Sequence, residues 1–112
     1  MQEVLLVLCT CPKRAEAERF SRSLVAEKAA ACIHILPAGR SVYRWQGAVE
    51  TAEECTLLVK TTAAAYPGLE RRIREWHEYD LPEIVAFPVA TGLEGYLDWV
   101  RASVANDAGG AP

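Results

Sequence analysis

The sequence predicts an α+β fold, and three observations carry that expectation. Residues 4–8 and 84–89 are short apolar runs without polar alternation, the pattern of strands covered on both faces. Two longer segments place apolar residues at helical spacing, the first with Ala17, Phe20, Leu24 and Val25, the second with Leu69, Ile73 and Trp76. Between them, residues 31–62 are rich in β-branched and aromatic residues and turn back at Gln46-Gly47, the signature of a hairpin.

The first strand, residues 4–8, is followed by Cys9-Thr10-Cys11-Pro12. Pro12 suits the first turn of a helix, where its missing N–H is no loss. Lys13, Arg14, Glu18 and Arg22 fall outside the apolar stripe of that helix, which is expected to end near Ala29 or Ala30. The hairpin follows, its first arm kinked at Pro37-Ala38-Gly39. Each arm has about 15 residues and spans on the order of 50 Å at 3.3 Å per residue. A compact domain of this length has a radius of gyration near about 13 Å and a diameter of roughly 30–35 Å. The hairpin is too long for its own domain, so its tip, Tyr43-Arg44-Trp45, is expected to lie on another subunit.

The second helix opens at residues 63–67 and solvates Glu70, Arg71, Arg72, Arg74 and Glu75. Leu81-Pro82 ends the helical pattern, because the residue before proline disfavours helix. After the last strand, Thr91-Gly92-Leu93-Glu94 has capping-box form, and Tyr96, Leu97, Val100 and Val104 line a short third helix. Residues 106–112 are small, polar and Gly-rich, and a disordered C-terminal tail is expected there. Residues 1–105 read as one domain with no linker.

The element order is β-α-β-β-α-β-α. Right-handed crossovers leave the ferredoxin-like split βαβ sandwich as the natural arrangement, with a long hairpin between its second and third strands. Helices would cover one face of its sheet. The two apolar strands require cover on the other face too, and the third helix is small, so a partner subunit is expected.

Composition narrows the function. The 112 residues carry a net charge of −3 and no basic tract, which argues against nucleic acid. No apolar run approaches the roughly 20 residues of a membrane span. Met1-Gln2-Glu3 lacks the basic start of a signal peptide, and the four cysteines are expected to be reduced thiols of a cytoplasmic protein. Cys32 and Cys55 sit inside strand patterns, where a free thiol behaves as a small hydrophobe and reacts slowly. Cys9 and Cys11 are expected to react first if either is accessible.

Cys9 and Cys11 lie where the first strand meets a helix N-terminus, whose amide dipoles favour the thiolate. The plainer reading, and the favoured one, is that each is a core residue, Cys11 more so than Cys9. His77 stands at the exit of the second helix with Glu78, Tyr79, Asp80 and Glu83. With the first strand pointing up, the chain runs down the hairpin's second arm, up the second helix and down the last strand. Cys9 and His77 then reach the same sheet edge. Thiolate and imidazole suit copper or zinc. His34 reads as a polar interface or edge residue, and Tyr43, Arg44 and Trp45 as interface anchors or a platform for a planar ligand. There is no GxGxxG, P-loop, HExxH or GxSxG, and Thr10 with Arg14 makes no phosphate cradle of acylphosphatase type.

Several blocks together resemble the CutA (divalent-cation tolerance) family. They are Ala31-Cys32-Ile33-His34-Ile35-Leu36-Pro37, Ser41-Val42-Tyr43-Arg44-Trp45-Gln46-Gly47, Leu57-Leu58-Val59-Lys60-Thr61, Tyr79-Asp80-Leu81-Pro82-Glu83-Ile84, and Gly92 with Tyr96-Leu97-Asp98-Trp99. They occur in the family's order and spacing, from about Val4 to Val104. The resemblance implies a ferredoxin-like homotrimer, non-enzymatic, associated with tolerance of divalent metal ions, copper among them, and using no organic cofactor. It further implies a metal site at Cys9 and His77, assigned to copper in some bacterial relatives. A second histidine of that site is Trp76 here, and the usual His-Pro-Tyr is His77-Glu78-Tyr79, so a weak site is expected. The alternative is a signalling module resembling the trimeric PII-type regulators, with a small ligand in its intersubunit clefts.

Overall fold

The computed structural model describes residues 2–105, and the tail expected over 106–112 lies outside them. Strand β1 (Val4–Cys11) leads into α1 (Arg14–Ala26), then β2 (Cys32–Ile35), β3 (Gly39–Trp45) and β4 (Ala48–Thr62). Helix α2 (Tyr66–Trp76), β5 (Ile84–Pro88) and α3 (Glu94–Ser103) complete the chain. The sheet order is β2-β4-β1-β5, with β3 continuing beside β4. β1 pairs antiparallel with both neighbours, placing Leu8 opposite Leu58 and Val85. This is the ferredoxin-like α+β arrangement.

The hairpin's second arm is one unbroken strand of 15 residues. Its first arm is divided: Ile35 faces Leu57, whereas Gly39 faces Glu54, so β2 and β3 together use one residue more than their partner. The extra residue falls around Pro37, which has no N–H to give the ladder. At the tip, Gln46 (φ 50°) and Gly47 (φ 84°) both occupy the left-handed region, as a two-residue turn matched to strand twist requires. The hairpin draws the subunit out to 44 × 28 × 25 Å.

Alternation along the strands separates two faces. Val7, Cys9, Leu57 and Val59 point at the helices and pack with Ala17, Phe20, Leu24, Leu69 and Ile73, all buried. On the opposite face, α3 seals one end by packing Val100 and Val104 against Val4, Ala31 and Ala65. Beyond it Leu6, Leu8 and Leu58 are half-buried, while Val85 and Phe87 are 42% and 49% exposed. The expectation of strands apolar on both faces holds, and α3 covers only part of the second.

Two local expectations need correction. α1 stops at Ala26, short of Ala29. Lys28 adopts φ 65°, its N–H bonding Val25 O and that of Ala29 bonding Leu24 O, the Schellman pattern with lysine where glycine is usual. The capping box at Thr91 does not form: Leu93 is the N-cap of α3, without a side-chain bond.

Candidate metal centre

β1 continues past Leu8 to Cys11, so Cys9 and Cys11, two apart on one strand, point to the same helix-covered face. α2 ends at Trp76, and the extended backbone of His77 (φ −67°, ψ 139°) turns its side chain back towards β1. The His77 N–H still closes the helix on Ile73 O at 2.8 Å. Sulfur atoms of Cys9 and Cys11 and a ring nitrogen of His77 consequently lie within 4.8 Å of one another, and all three residues are buried. The expected convergence of Cys9 and His77 is therefore found, with Cys11 added to it.

The imidazole is fully engaged. The backbone N–H of Tyr79 donates to its Nδ1 at 3.1 Å, so Nε2 carries the proton and donates to Thr10 O at 2.7 Å. That carbonyl is available because β5 begins opposite Cys9, one residue short of Thr10. Trp76 stacks on Phe20 with centroids 3.6 Å apart and meets His77 edge-on at 5.8 Å. The position thus supplies an apolar wall and no donor.

The thiols are held differently from the expectation of a helix N-terminus. α1 begins three residues beyond Cys11, and the dominant influence on each sulfur is the other. A thiol hydrogen bond to Cys11, reinforced by burial, pushes Cys9 well up. The same bond lowers Cys11 against the opposing effect of its burial. Cys55, directly across from Cys11, donates its thiol to Cys11 O at 3.6 Å, and burial raises it. Cys9 and Cys11 are both completely buried, so they are not the accessible thiols; only Cys32 is half-exposed. It lies on the open face, with its sulfur 4.0 Å from Lys60 Nζ.

His34 is exposed and sits opposite Leu58 on the open face, apart from Cys9, Cys11 and His77. Arg14 pairs with Glu18 at 3.5 Å and reaches Leu36 O, as a surface residue does. An unanticipated network lies beside the hairpin: Ser41 Oγ and Tyr79 Oη donate to the two oxygens of Glu54 at 2.6 and 2.8 Å. A cleft of about 670 Å³ opens there, lined by Tyr43, Trp45, Tyr79, Asp80 and Glu83 among others. Cys11 was detectable in the sequence through its i, i+2 spacing from Cys9; the Glu54 network had no sequence signal.

Chemically, two sulfurs and an imidazole in a dry pocket can hold a soft metal ion. The sequence matches the family described as "CutA1 divalent ion tolerance protein" over residues 5–103. A "Divalent-cation tolerance protein CutA" from Thermus thermophilus is 48% identical over 101 residues, 90% of this chain and 96% of that one. The crystal structure of CutA1 from Oryza sativa superposes with a TM-score of 0.90 at 35% identity, covering 94% of this chain and 96% of that one. A protein from Archaeoglobus fulgidus, described as a periplasmic divalent cation tolerance protein CutA, gives 0.83 at 33% identity, over 87% and 94%.

Proposed function

The chain belongs to the CutA1 divalent ion tolerance family, and from that membership we propose that it is a non-enzymatic homotrimer holding copper weakly through Cys9 and His77. The observation that carries the metal reading is the arrival of both side chains, from β1 and from the end of α2, at one buried point. The donor set fits a soft ion, and the ion would share the pocket with the Phe20–Trp76 stack.

Weak divalent binding follows from what the ion must displace. Either nitrogen of His77 is free only after its present hydrogen bond breaks, and a buried polar group left unpaired costs about 1–3 kcal/mol. A thiol must also shed its proton to bind, so acid opposes binding. Titration with copper at about pH 7 and again near 5.5 tests this: affinity is expected to fall at the lower pH and to vanish in a Cys9→Ser, His77→Ala double variant. Binding that persists in that variant would place the metal elsewhere.

Self-association is supported by the uncovered sheet face and by a hairpin that projects Tyr43 and Trp45 on the same side. Sedimentation of a stable folded monomer at micromolar concentration would contradict it. The reading places the protein in the cytoplasm, in keeping with four free thiols. Among the described residues, no helix is long and apolar enough to cross a membrane. Against the PII-like alternative, Glu54, Asp80 and Glu83 line the cleft beside the hairpin and oppose an anionic nucleotide there. A thermal shift with nucleotides and none with metals would reverse that preference.

A further inference from the structure

We propose that Cys11 supplies a third donor and that the resulting two-sulfur, one-imidazole set selects monovalent copper over divalent cations. The inference rests on ligation by Cys9 and His77; what it adds is Cys11 and the oxidation state of the metal. Three features support it.

The first is spacing. Donors around a three-coordinate ion, at bond lengths of about 2.0–2.3 Å, stand about 3.5–4 Å apart. The three donor atoms here already lie within 4.8 Å of one another. Closing on an ion therefore takes side-chain adjustments on the order of 1 Å, with β1 left in its ladder between β4 and β5.

The second is donor number. Among the described residues, no fourth histidine, cysteine or carboxylate joins the group. Glu54 accepts from Ser41 and Tyr79 with both of its oxygens. Zinc in a protein site wants four ligands in a tetrahedron, and all three residues here are too buried for water to complete one readily. Monovalent copper accepts three donors and favours sulfur.

The third is the balance of donor types around the pocket. Trp76 offers no donor and walls the site with its ring, while Cys11 adds a second sulfur from β1, two residues along from Cys9. The donor set holds two sulfurs to one nitrogen. That balance favours the monovalent over the divalent ion.

The test is an anaerobic titration of the full, reduced chain with monovalent copper held by a chromogenic bicinchoninate competitor, with zinc and divalent copper as parallel arms. One monovalent copper per chain is expected, with sulfur-to-copper absorption in the ultraviolet and binding tighter than either divalent ion. X-ray absorption on the unaltered chain is expected to show two sulfurs and one nitrogen. Cys11→Ala should weaken monovalent copper by about 100-fold or more, beyond what losing an outer partner produces, while leaving the weak divalent site in place. If Cys9→Ser and His77→Ala abolish binding but Cys11→Ala does not, the third donor is wrong and the two-ligand reading stands. If none of the three changes matters, both are wrong. Zinc outcompeting monovalent copper, or a single sulfur in the absorption spectrum, overturns the inference without any variant having to fold.

Discussion

The two faces of the sheet are built from the same strands, yet they meet different fates. On the helix side, Val7, Cys9, Leu57 and Val59 are 1% exposed or less. One residue along each strand, Leu6, Leu8 and Leu58 stay half-buried, and Phe87 and Val85 are more exposed still. Hydrophobicity alone does not distinguish the faces; the supply of covering elements does. α1 and α2 complete one face inside the chain, whereas α3 seals only the end of the other. The closed face holds Cys9, Cys11 and His77, and the open one leaves Val85 and Phe87 exposed.

Thiol chemistry separates the faces most widely. Cys9, Cys11 and Cys55 are enclosed, so a reagent reaches them only through an opening comparable to unfolding, about 5–15 kcal/mol. Cys32, on the open face, is expected to label first, and the other three more slowly by about four orders of magnitude or more. Mass spectrometry of labelled peptides over time checks the order. Labelling of Cys9 or Cys11 ahead of Cys32 would break the distinction between the faces.

Truncation sharpens the comparison next. Leu57→Ala removes a fully buried side chain and is expected to cost about 2–5 kcal/mol of subunit stability. Phe87→Ala, on the open face, should leave folding of the isolated subunit nearly unchanged and act on assembly. Trp45→Ala should likewise weaken association by about 2 kcal/mol, the size of an interface anchor. Denaturation read together with sedimentation separates the effects. Equal losses of subunit stability from Leu57→Ala and Phe87→Ala would mean that the open face is closed in some other way.

Much of this was legible in the sequence because the strongest signals are periodic. The apolar runs at β1 and β5, the stripes of α1 and α2 and the Gln46-Gly47 turn each follow from local spacing, and the topology brought Cys9 and His77 together. What escaped depended on particular backbone conformations or on distant partners. Lys28 ends α1 in a left-handed conformation that lysine seldom advertises. Thr91 has the right neighbour for a capping box, yet the chain enters α3 without using its hydroxyl. Cys9 looked reactive beside a helix start, but the strand runs on to Cys11 and carries both thiols under the helices. Glu54 meets Tyr79 across 25 residues, a distance at which no local pattern exists.

The smallest expected effect concerns that last contact, which fastens β4 near the hairpin to the segment between α2 and β5. In Tyr79→Phe, Glu54 keeps Ser41 but loses one of its two donors, and because the pair is only partly buried the cost should be about 1 kcal/mol. Its pH dependence has a definite sign. Burial, then the bond to Glu54 and the charge of that carboxylate, raise the Tyr79 phenol above its ordinary value of 10.0. A raised value means that the folded state holds the proton more tightly than the unfolded chain does. The stabilisation is therefore complete below about pH 10 and lost as pH climbs from there towards the folded-state value. The phenylalanine variant has no such proton, so the stability gap between the two proteins should be full near neutrality and narrow above pH 10. Urea denaturation of both proteins at about pH 8 and again near 10.5 measures the gap. A gap that widens on the alkaline side would mean that Glu54 does not hold the Tyr79 proton in place.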